Sequence, residues 1–141
     1  MQIVTFLGMV ISKFKAAPAL VVVPNSTITN WVREFSRWAP MLRVVPFYGE
    51  AKSREIIIKY ELYHESTKRE PKFHVLITTY ETVTGSHFSL VFKKMPRWEV
   101  LIVDEGQRRE SCSFCIHREV PRCDTLQSRA TIACCFGSLM R

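Results

Sequence analysis

Asp104 and Glu105 stand out because of what precedes them. In Val100-Leu-Ile-Val-Asp-Glu-Gly-Gln107, four aliphatic residues run directly into two acids. A buried parallel strand delivers carboxylates in this way to the carboxyl edge of its sheet, which is where open α/β sheets bind ligands. In nucleotide hydrolases an acid in this place holds the Mg²⁺ that bridges the nucleotide phosphates, and a second carboxylate can orient the attacking water. Asp104 would take the first role and Glu105 the second. Taken alone, the same residues also read as a strand that terminates in solvent.

The second set with chemical potential is the cysteines, Cys112, Cys115, Cys123, Cys134 and Cys135, all of which follow residue 110. An odd, clustered set argues for a reducing compartment and against a disulfide framework. Cys112-x-x-Cys115 is a ligand half-site that His117, Cys123, Cys134 or Cys135 could complete. No second C-x-x-C or H-x₃₋₅-H spacing accompanies it, so zinc is not expected.

Positioning the acids requires a layered α/β frame, and the first 110 residues alternate between helical and strand periods as such a frame demands. Gln2 to Phe14 predicts a helix that is apolar over much of its circumference and has to be buried. Ala19 to Val23 is a continuous aliphatic run between Pro18 and Pro24, which predicts a strand covered on both faces. Asn25 and Ser26 offer an N-cap to a helix whose apolar face is Ile28, Trp31, Val32, Phe35 and Trp38, and Pro40 ends it. The helical spacing of Trp31, Phe35 and Trp38 points to core packing rather than base stacking. The cycle repeats with a strand at Leu42 to Tyr48, a helix from Ala51 to Tyr63 and a charged loop from Glu65 to Lys72. Strands at Phe73 to Thr78 and Trp98 to Val103 follow, separated by a turn or short helix around Tyr80 to Phe92. The fold expected is a mostly parallel sheet flanked by helices.

Composition narrows the function classes. At 141 residues with 47% hydrophobic and 23% charged, the chain is globular and of single-domain size. Its longest apolar run, Ala16 to Pro24, contains two prolines and falls well short of the roughly 20 residues that span a bilayer, so no membrane partner is expected. The apolar opening has no basic residue before it, and Lys13 and Lys15 follow it, which is not the layout of a secretory signal. A formal charge of +7 with pI near 9.4 favours polyanionic partners.

Several segments, in order, resemble one family. Leu20-Val-Val-Val-Pro-Asn-Ser-Thr-Ile-Thr-Asn-Trp-Val-Arg-Glu-Phe-Ser-Arg-Trp-Ala-Pro40 is similar to motif Ia of SWI/SNF-type chromatin-remodelling ATPases. Val44-Val-Pro-Phe-Tyr-Gly49, Phe73-His-Val-Leu-Ile-Thr-Thr-Tyr-Glu81 and Trp98-Glu-Val-Leu-Ile-Val-Asp-Glu-Gly-Gln-Arg108 continue the likeness. It is nearest to the chromodomain-helicase branch, and to its fungal members in particular. The resemblance implies an N-terminal RecA-like (P-loop NTPase) lobe over residues 1–108, part of a two-lobe motor that uses ATP and Mg²⁺ to translocate on DNA. The partners implied are DNA, nucleosomes and histones, and the compartment is the nucleus. Carried over residue by residue, Asp104 and Glu105 match the Walker B acids and Gln107 the last position of the helicase box. Pro24, Asn25, Ser26 and Thr27 match motif Ia, and Thr78, Thr79 and Tyr80 match motif Ib; in the family these loops follow the DNA backbone. For Thr78 and Thr79 alone, an ordinary strand end is the competing reading.

Family members open this lobe with a loop ending in Gly-Lys-Thr, whose amides and lysine cradle the ATP phosphates. None of Gly8, Gly49, Gly85, Gly106 or Gly137 lies in a Gly-x-x-x-x-Gly-Lys-Ser/Thr pattern, so a truncated, inactive lobe is expected. Residues 109–141 carry no resemblance to the family and predict an irregular tail. The alternative function is a non-catalytic product that binds DNA or a protein.

Overall fold

The computed structural model describes residues 2–63, 71–85 and 98–104, together with the backbone of 132–136. Five strands form one sheet in the order β2-β3-β1-β4-β5, and every pairing is parallel. The strands are β1 (Ala19–Val23), β2 (Val44–Phe47), β3 (Val75–Thr79), β4 (Val100–Asp104) and β5 (Ile132–Phe136). The helices are α1 (Gln2–Phe14), α2 (Ile28–Trp38), α3 (Ala51–Ile57) and α4 (Tyr80–Thr84).

The all-aliphatic runs become strands because both faces of the sheet are covered. All five residues of β1 are buried, and their alternation feeds two separate cores. Leu20 and Val22 join Val45, Phe47, Leu76, Val83, Trp98 and Leu101 on one face. Ala19, Val21 and Val23 meet Val4, Leu7, Ile28, Phe35, Ile77 and Ile102 on the other, beneath α1 and α2. No position on β1 reaches water, so its polar work is confined to its ends. Gly8 of α1 faces the residue that ends α2: a Cβ there would stand 3.4 Å from the Ala39 Cβ, in close contact.

Several sequence expectations need correction. Only one face of α1 is buried, through Val4, Leu7, Gly8, Val10 and Ile11, while Met9 and Phe14 are exposed. Asn25 and Ser26 do not cap α2: they belong to a 3₁₀ turn, Asn25–Thr27, and Thr27 occupies the cap position without a side-chain bond. Trp38 does not join the core. It is 41% exposed beneath the Arg37 guanidinium, 5.4 Å from the ring centroid. The expected helix from Ala51 to Tyr63 splits into α3 and a π-helical turn, Ile58–Leu62. Strand β2 is confined to Val44–Phe47 and sits at the sheet edge, where Pro46 leaves no partner strand short of a donor. Most of the charged loop and the second half of Tyr80 to Phe92 lie outside the described residues. Of the segment after Arg108, residues 132–136 are described. They form β5 in parallel register with β4, where irregular chain was expected.

Two stability predictions follow from this packing. Phe35 is among the largest fully buried side chains, so Phe35→Ala should cost about 3–5 kcal/mol in urea unfolding, whereas Trp38→Ala should stay within about 0.5 kcal/mol. Burial pushes the Tyr63 phenol from 10.0 up to about 12. The fold thus holds the neutral form, and its contribution is complete below pH 10 and lost as pH rises toward about 12. Tyr63→Phe should flatten the alkaline fall in stability over that window, read as melting temperature against pH.

Candidate functional site

Parallel pairing brings three of the motif segments to one edge. Strand β1 lies between β3 and β4, with Val23 level with Thr79 and Val22 level with Val103. The chain therefore leaves β1 through Pro24, β3 through Tyr80 and β4 through Asp104 side by side at the carboxyl edge.

Asp104 is the last residue of β4 and is half-buried. Two aromatic side chains from different elements converge on it. The Trp31 indole Nε1–H, presented from the first turn of α2, donates to Asp104 Oδ2 at 3.1 Å. The Tyr80 hydroxyl, at the start of α4, donates to the Asp104 main-chain carbonyl. Trp31 is itself braced by Phe35, with ring centroids 6.2 Å apart. The sequence reading placed Trp31 in the core by its helical spacing. It is half-buried instead, with its polar edge at the site. No local signal distinguishes it from Phe35, except that an indole N–H has to find an acceptor when it is covered.

The β1–α2 connection is a self-contained turn. Both the backbone N–H and the hydroxyl of Thr27 donate to the Pro24 carbonyl, at 3.0 and 2.9 Å. Asn25 and Ser26 at its tip are exposed, and the first N–H groups of α2 receive no side-chain cap. The positive end of the helix dipole at such a start favours anions.

The two threonines that end β3 have different partners. Thr78 is fully buried and its hydroxyl donates to the Phe47 carbonyl at 2.8 Å, tying β3 to β2. Thr79 is 5% exposed and caps α4: its Oγ1 accepts from the Thr82 N–H at 3.2 Å and pairs with the Thr82 hydroxyl at 2.8 Å. Both hydroxyls are engaged inside the protein. Of the second segment, half-buried Tyr80 alone reaches the edge. Glu105 and Gln107 lie outside the described residues.

Among the described residues there is no group of three or more His, Cys, Asp or Glu able to cage a metal. Cys112, Cys115, His117 and Cys123 lie outside them. A single strand-end carboxylate nonetheless suits Mg²⁺, which keeps several waters and is held through one or two carboxylates plus substrate phosphates.

Residues 1–132 match the SNF2-related domain family. Over 99 residues the chain is 50% identical to Protein CHROMATIN REMODELING 4 of Arabidopsis thaliana, covering 66% of this chain and 4% of that protein. Over 92 residues it is 45% identical to the CHD3-type chromatin-remodeling factor CHR7 of the same plant, covering 65% of this chain and 7% of that one. The chain thus spans a small part of these relatives' length. Among solved structures, the Sulfolobus solfataricus SWI2/SNF2 ATPase core in complex with dsDNA superposes with a TM-score of 0.60 at 21% identity, over 84% of this chain and 21% of that one. This last likeness is one of fold.

Because Thr79 starts α4 with a side-chain cap, Thr79→Ala should lower stability by about 1 kcal/mol. Urea unfolding checks this, and Ser26→Ala at the exposed turn should leave the midpoint unchanged.

Proposed function

Because the chain belongs to the SNF2-related domain family and folds as a RecA-like α/β lobe, we propose that it forms part of an ATP-dependent, DNA-translocating chromatin remodeller. The observation that supports this best is the seating of Asp104 at the carboxyl end of β4, flanked by the β1–α2 turn and the start of α4. In this reading Asp104 ligates the Mg²⁺ of a bound nucleotide, Glu105 orients the attacking water and Gln107 lines the nucleotide site. The cation, when bound, neutralises charge that develops on the transferred phosphoryl group. The chain's own part is to hold the Asp104 carboxylate through Trp31 and the Asp104 carbonyl through Tyr80, so that the ligand stays in place as β4 ends.

The DNA partner is assigned to the other side of the same edge. Asn25, Ser26, the start of α2 and the segment led by Tyr80 would meet the sugar-phosphate backbone without reading sequence, as hydroxyls, amides and helix starts do. Pro24 and Thr27 would shape that turn, with Thr78 and Thr79 supporting the second segment from within. The net charge of +7 favours the same polyanion. Nucleosomes as the substrate and the nucleus as the compartment fit the chromatin-remodelling names of the relatives.

A second reading, a polypeptide that binds DNA or a protein without turnover, is favoured by one observation: the 141 residues contain no Gly-x-x-x-x-Gly-Lys-Ser/Thr pattern. The purified 141-residue chain should accordingly hydrolyse ATP at background rate with or without duplex DNA, measured by phosphate release. Binding tests the shared premise. Fluorescence anisotropy should show sequence-independent affinity for a short duplex that falls steeply with salt, the logarithmic slope being about −0.9 for each phosphate contacted. Ser26→Asp should weaken it several-fold. Salt-insensitive binding, or none, would remove the DNA assignment.

A further inference from the structure

Trp31 is the one large aromatic of α2 whose polar atom meets the site. We propose that it is a positioning residue for the Asp104 cation ligand, acting from the motif Ia helix through its indole N–H. The inference rests on the cation-binding role assigned to Asp104 above and extends it to a residue to which neither the nucleotide nor the DNA reading assigns a contact.

The geometry has three parts. The donor is an indole, which can only donate, so its 3.1 Å bond to Oδ2 has a single polarity and holds an acceptor carboxylate rather than a competing cation. The donor is rigid, because Trp31 is half-buried and lies 6.2 Å from the ring of Phe35, a fully buried residue of the α1–α2 core. The Asp104 main chain is anchored separately by the Tyr80 hydroxyl. Carbonyl and carboxylate of one residue are thereby held from α4 and α2, on either side of the strand that carries it. A carboxylate offers about four lone-pair sites, so one indole donor is compatible with cation ligation at the same group.

The bond also joins two segments that are distant in sequence. Trp31 stands one helical turn beyond Thr27, the residue that closes the Pro24–Thr27 turn onto the Pro24 carbonyl. A shift of that turn therefore reaches Oδ2 through one turn of rigid helix. Outer partners that orient a metal ligand typically change metal affinity about 10–100-fold when removed. Trp31 occupies that position here.

The test uses the 141-residue chain, Mn²⁺ alone as the probe, and no nucleotide. In ¹H–¹⁵N spectra of the wild type, Mn²⁺ should broaden the Trp31 indole and the Val103 amide before it affects the Trp38 indole. Trp31→Phe should require about tenfold more Mn²⁺ for equal broadening at Val103, with a cooperative melt retained. Equal broadening in a folded Trp31→Phe chain would overturn the inference and leave the cation role of Asp104 standing. Absence of broadening in the wild type would defeat that role and the inference with it. If Trp31→Phe does not fold, the Trp31 indole itself decides. Its proton should shift upfield and exchange faster with solvent in Asp104→Asn, and further in Asp104→Ala. A resonance indifferent to both substitutions overturns the inference.

Discussion

A parallel sheet buried on both faces has no lateral surface on which to do chemistry, and that constraint organises this protein. Every residue of β1 and β3 is buried. The side chains of β1 alternate between two cores, one under α1 and α2 and the other against the opposite face. Any polar group required for binding has to appear where a strand stops. The order β3-β1-β4 then decides which strand ends are neighbours, and it sets Tyr80, the Pro24–Thr27 turn and Asp104 along one edge.

The edge is built from interactions of unequal character. Thr78 and Thr79 direct their hydroxyls inward, one joining β2 to β3 and the other starting α4. A buried hydroxyl left without a partner is costly, so these residues serve the frame. Trp31 and Tyr80 use the amphipathic character of large aromatic side chains: an apolar body packs against the core while one polar atom reaches the rim. That combination holds a half-buried carboxylate where the strand ends. Arg43 pairs with Glu61 at 3.0 Å on the exposed surface, and pairs of that kind contribute on the order of 0–1 kcal/mol.

Much of the fold was legible in advance, for reasons visible in particular residues. The Ala19–Val23 run between two prolines has one reading, a strand covered on both sides, and the structure agrees at each residue. The match of α1 to Gln2–Phe14 has the same origin in local periodicity. Periodicity was less informative where burial depends on a neighbour. The apolar circumference of α1 gave no indication of which face stays in water. Trp38 fits the α2 stripe by spacing, yet it stays 41% exposed with the Arg37 guanidinium over its ring. Pro46 marked β2 as an edge strand only once the pairing was known.

The sequence by itself determined the first four strands and the helices α1 and α2, the carboxyl-edge location of Asp104 and the family to which the chain belongs. These depend on local hydrophobic pattern and on short contiguous motifs. Tertiary structure alone decided the strand order, the inward commitment of Thr78 and Thr79, and the meeting of Trp31 with Asp104 across 73 positions of chain. A hydrogen bond of that span exists only after α2 has packed on the sheet and β4 has paired with β1. No pattern within either segment encodes it, because the acceptor is supplied by a strand laid down far later in the chain.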